Sequence, residues 1–107
     1  IDLQKQEEIH NFTLGCITNY GMSIHKPALI CVAVSDDNQN FSDVAQLSYN
    51  AEEIFQNGTY VDNCSLNLKG VKARYIRVIA KGPGLNPSGH TRPGVESRVL
   101  FDEVIIK

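Results

Sequence analysis

Five residues on two separated segments carry the side-chain types that a sugar ring needs. Tyr20 and His25 lie on the first segment; Asn86, His90 and Arg92 lie on the second. A pyranose presents C–H groups on one face and hydroxyls around its rim. It is held by a flat apolar or aromatic surface together with planar polar groups. These five supply both kinds. The chemistry requires that the segment around Tyr20 and the segment around His90 meet at the same end of the molecule.

Covalent chemistry finds less material. No G-x-S-x-G elbow occurs, and no Ser or Cys stands in a recognisable setting with His10, His25 or His90. The acid pairs Asp36/Asp37, Glu52/Glu53 and Asp102/Glu103 are adjacent in sequence. Glycoside cleavage needs two carboxyls facing each other across a substrate, whereas neighbours on a strand point apart. An autonomous enzyme is therefore not expected. The first two pairs read as solvated turn charge. Asp102/Glu103 sits in an apolar run, so one acid faces the side the strand covers unless that face is open to water. It is either ion-paired or exposed at an edge, or it is a ligand of a hard metal such as calcium. Cys16, Cys31 and Cys64 lack zinc or thioredoxin spacing. They read as small buried core residues, with one disulfide as the alternative.

Strands must position these groups. Phe12, Leu14 and Cys16 share one parity within residues 9–17. The run ALICVAV after Pro27 is apolar on both parities, which suits a central strand. It ends at Ser35-Asp36-Asp37-Asn38, a turn in which Asn38 tolerates a left-handed backbone. Residues 51–58 form the one short helical turn. Residues 60–68 alternate loosely, with an irregularity expected near Asp62 and Asn63. Residues 71–81 are the clearest strand, with Ile76, Val78 and Ala80 on one face and Tyr75, Arg77 and Ile79 on the other. Residues 99–106 form the last strand. Between the last two lies a loop of about sixteen residues rich in Gly and Pro, long enough to mark it as a site or as disorder. Five or more strands with almost no helix predict an all-β antiparallel sandwich or open barrel in one domain, residues 1–107. Ile1-Asp2-Leu3 already reads as strand, so the domain is expected to be trimmed at its N-terminus.

The bulk properties narrow the partners. A net charge of −2 gives no general attraction to nucleic acid or to anionic lipid, and no apolar run reaches membrane-spanning length. The sequons at Asn11, Asn40, Asn57 and Asn63 are read as chance in an Asn-rich chain.

Four stretches together form a pattern. IDLQKQEEIHNFTL, NYGMSIHKPALICVAVSDDNQNF, KARYIRVIAKGPG and VLFDEVIIK resemble the strands of discoidin (coagulation-factor type C) domains, with Asn38 where a Gly is usual. The wording is most similar to modules of carbohydrate-binding family 32, found at the C-terminal end of bacterial glycosidases such as family 20 β-hexosaminidases or chitobiases. The resemblance implies a galactose-binding-like jelly roll of eight strands, with a sugar site in loops at one end. It implies a non-catalytic accessory module for galactose or N-acetylhexosamine, attached to a catalytic domain in a larger protein that is periplasmic, cell-surface or secreted. It also implies a structural calcium to which Glu103 contributes, although the family's other calcium ligands, on an N-terminal strand and a DG…T.W loop, are absent. His25 stands where the family often has an aromatic, and His90 lies in the loop that often carries another; the chain has no Trp. Two alternatives stay open: a bracing domain without ligand, and a module recognising protein or peptide.

Overall fold

The computed structural model describes residues 1–107. The chain is all-β and antiparallel. Its five strands are β1 (Asp2–Asn19), β2 (Leu29–Ser35), β3 (Ser42–Ser48), β4 (Thr59–Lys81) and β5 (Leu100–Ile106). They form one hydrogen-bonded sheet in the order β3-β2-β4-β1-β5. The single α-helical turn, α1 (Ala51–Ile54), begins with a capping box. Asn50 Oδ1 accepts from the Glu53 amide at 2.9 Å, and Glu53 Oε1 accepts from the Asn50 amide at 3.0 Å. Glu53 therefore has a local structural task.

Two long strands take the place of several short ones. At about 3.3 Å per residue, the 23 residues of β4 would outrun the molecule's longest dimension of 47 Å. The strand must bend. It does so at Lys69 (φ 57°) and Gly70 (φ 74°). There four residue steps on β4, from Asn67 to Val71, face only two on β1, from Ile9 to Asn11. The irregularity thus sits at 69–70, and the register runs unbroken through Asp62 and Asn63, where the sequence suggested a defect. The first limb of β4 pairs with residues 11–19 of β1, and the second limb pairs with β2.

Because the bend turns both limbs inward, their apolar residues share one core. Phe12, Leu14, Cys16, Cys64 and Leu66 from one limb join Ile30, Val32, Val34 and Ile76 from the other. Phe12, Ile30 and Ile76 are fully buried. All three cysteines are free, and Cys16 and Cys64 are core residues. The β2–β3 turn matches its reading. Asn38 has φ 61°, and Asp37 Oδ1 accepts from the amides of Gln39 and Asn40, each at 2.9 Å. Those amides, with the Ser35 hydroxyl and the Asn40 side chain, hold the Asp37 carboxyl well below the usual range. The structure holds five strands where the resemblance implies eight, and all five lie in one hydrogen-bonded sheet.

Candidate functional site at the loop pole

The segment after β1 folds back at once. Tyr20–Met22 makes a 3-10 turn, Ser23 takes a left-handed conformation (φ 62°), and Asn19 and Ile24 exchange backbone hydrogen bonds of 2.9 and 3.0 Å. The long connection between β4 and β5 is ordered by a small hairpin. Leu85 bridges to Glu96, the Asn86 amide donates to Val95 O at 2.8 Å, and the Ser97 amide donates to Gly84 O at 2.9 Å. Gly84 (φ 87°) and Gly94 (φ 76°) supply the left-handed turns this path needs. The hairpin then docks on the first segment. Arg98 N–H donates to Ser23 O at 2.8 Å, and His25 N–H donates to Arg98 O at 3.0 Å.

The two segments named from sequence therefore meet at one pole. Tyr20 and His90 have ring centroids 4.1 Å apart, Tyr20 and His25 5.7 Å, and His25 and His90 5.6 Å. Phe55, one residue past α1, meets the His25 ring edge-on at 4.9 Å. Nothing in the sequence marked Phe55 for this place.

The hydrogen bonds fix the histidine tautomers. Asn86 Nδ2 donates to Ser23 Oγ at 2.8 Å and to Arg92 O at 3.0 Å, so its Oδ1 is the acceptor for His25 Nε2 at 2.9 Å. His25 Nε2 must carry the proton, and Nδ1 is left bare: buried, with no partner. His90 Nδ1 accepts from Arg92 N–H at 2.8 Å, and Nε2 donates to Tyr20 O at 2.6 Å. Both rings sit here as neutral imidazoles. Burial pushes the His25 imidazole below its usual pKa; the Asn86 hydrogen bond opposes this, and neighbouring His90 adds to it.

This geometry corrects the expected roles. His25 is 0% exposed, and Asn86 and His90 are each 4% exposed. Their polar atoms are directed at one another and at backbone, so they brace the pole and do not face a solvent-borne sugar. Tyr20 is half-buried, and Arg92 is exposed. At the surface above the cluster lies a shallow cleft of about 190 Å³ lined by Met22, Ser23, Arg92, Val95, Glu96 and Arg98. Arg98 and Glu96 were not singled out from sequence, since they stand at the end of the loop, where charge ordinarily reads as solvation.

Glu103 does not fit a metal centre. It is exposed on β5, whose outer face is open to water, and Asp102 is exposed beside it. Nowhere do three or more His, Cys, Asp or Glu side chains gather as a metal would require. No step is assigned to calcium.

The largest cavity lies elsewhere. About 570 Å³ opens between the limbs, walled by Phe12, Leu14, Ile76, Val78, Phe101 and Val104. Its lining is mostly apolar, with Asn38 and Arg77 as the polar members. No protein-family model matches the chain, and no curated protein sequence matches it.

Proposed function

We propose that the chain is a non-catalytic carbohydrate-binding module of galactose-binding-like, jelly-roll type, serving as an accessory domain of an exported bacterial glycosidase. The observation that carries the reading is the convergence of residues 20–25 and 86–98 on one rigid pole, with a cleft at its surface. Tyr20 and Arg92 are the candidate contacts. His25, Asn86 and His90 act by holding the loop in place. Galactose and N-acetylhexosamines are the candidate ligands. A module of this kind gains its benefit by raising the local concentration of an attached enzyme at its substrate.

The test is an NMR titration of the folded chain with galactose, N-acetylgalactosamine and N-acetylglucosamine oligomers. Amide shifts confined to residues 20–25 and 86–98 support the proposal. Silence with every sugar at high concentration refutes it.

One observation favours a second reading. The apolar cavity between the limbs is bordered by exposed Phe101 (39%) and Val104 (48%). Apolar surface of that kind suits docking against a neighbouring domain, which is the bracing role.

A further inference from the structure

We infer that the cleft at the loop pole selects an acidic sugar, one bearing a carboxylate or a sulfate ester, over a neutral hexose. The inference rests on the carbohydrate-binding reading and names the ligand class of that same site.

The chain has four arginines. Arg74 is spent on Asp2, at 3.0 Å, and on the Tyr75 ring, while Arg77 lies over the Phe41 ring at 4.5 Å. Arg92 and Arg98 are the two with neither an ion pair nor an aromatic partner, and both line the same cleft. Glu96 stands between them in sequence without pairing to either. Two guanidinium groups and one carboxylate leave the cleft with a net charge of +1. An arginine fork matches the two oxygens of a carboxylate or sulfate in plane, a fit that a hydroxyl cannot reproduce.

Both arginines are also held from below. Arg92 donates its N–H to His90 Nδ1 and accepts from Asn86 Nδ2 at its carbonyl. Arg98 donates its N–H to Ser23 O and accepts His25 N–H. The backbone groups of both residues are thus fixed by the buried cluster, which lowers the cost of ordering them around a ligand. Met22 (63% exposed) and Val95 (45% exposed) offer apolar surface to the C–H face of the ring. Glu96 is placed to accept from ring hydroxyls.

The experiment compares galactose, galacturonate and galactose 6-sulfate by NMR or calorimetric titration of the folded chain, at low and at high salt. A charge-assisted contact is among the stronger hydrogen bonds, so an acidic sugar should bind about tenfold or more tighter than galactose. The advantage should shrink as salt rises. R92Q and R98Q should each remove about tenfold of the acidic-sugar affinity and weaken galactose binding by less. Both substitutions are at exposed side chains, and unchanged melting confirms the fold. Preference for either acid with this arginine dependence supports the inference, and the better of the two identifies the anionic group. Equal affinity for neutral and acidic sugars overturns it while leaving the carbohydrate reading intact, as does acidic-sugar binding indifferent to both substitutions. No binding of any sugar overturns both.

Discussion

Asn86→Ala is the sharpest probe of the pole. The side chain makes three hydrogen bonds, to His25 Nε2 (2.9 Å), Ser23 Oγ (2.8 Å) and Arg92 O (3.0 Å). At about 1 kcal/mol net for each, their loss costs about 3 kcal/mol. His25 makes the case more severe. Its Nδ1 already lacks a partner, so the variant leaves a fully buried imidazole with no side-chain hydrogen bond. Water entering from the nearby surface lowers the cost, which places the expected loss at about 2–3 kcal/mol.

For a chain near 100 residues, that corresponds to a melting temperature lower by roughly 15 °C if the loop belongs to the cooperative unit. If it opens independently, the loss appears instead in hydrogen exchange of the amides of Arg92, Gly94 and Arg98, which donate into this network. Urea unfolding and native-state exchange together cover both cases. A change below about 0.5 kcal/mol, the range of an ordinary surface substitution, with exchange of those amides unaltered would refute the assignment of Asn86 as the pin.

Three further outcomes are expected. Acid should weaken the pole: the unfolded chain protonates His25 near 6.5, while the buried ring takes its proton only at lower pH. The stabilisation is therefore complete above 6.5 and is lost as pH falls through the depressed folded value, a decline that His25→Gln should remove from a stability–pH curve. Gly70→Ala should destabilise by about 1–2 kcal/mol in urea unfolding, because φ is +74° there and a Cβ would come within 3.1 Å of Glu8 Oε1 and 3.2 Å of His10 Cε1. Phe12→Ala should cost about 3–5 kcal/mol by the same assay, as expected for an aromatic at 0% exposure in the shared core.

Strand parity was readable where one face is buried throughout. Phe12, Leu14 and Cys16 point inward as their spacing demands, and so does Ile76. β3 was missed because its half-buried residues Val44, Ala45 and Leu47 do not keep one parity. A bulge opposite Val32 and Ala33 shifts the register between them, which erases the period of two. The continuity of β4 was hidden for a similar reason. Lys69 and Gly70 look like the end of one strand and the start of another, and only long-range pairing with β1 carries the chain through. At the pole, residue types were informative but their direction was not. His25 and Asn86 are 61 positions apart, and polar residues in loops ordinarily face water. Their mutual hydrogen bond, which turns both inward, depends on the docking of the hairpin at Arg98.

Aliphatic contact does little to hold the loop. Its large apolar residues, Leu85 and Val95, are 62% and 45% exposed, so the hydrophobic effect contributes little to docking it. Hydrogen bonds do the holding, and they differ from apolar burial in being directional. A greasy contact would tether the segment and leave its orientation loose, whereas donors and acceptors on Asn86, His90 and Ser23 set where the backbones of Arg92 and Arg98 lie. Stability and recognition are then separable at this pole. Replacing the hydrogen-bonded partners of the buried cluster with apolar groups of the same shape can be nearly neutral or stabilising, yet it would release the two arginines from their fixed backbone positions. A variant that keeps its melting temperature and binds acidic sugar more weakly is the outcome the proposal predicts.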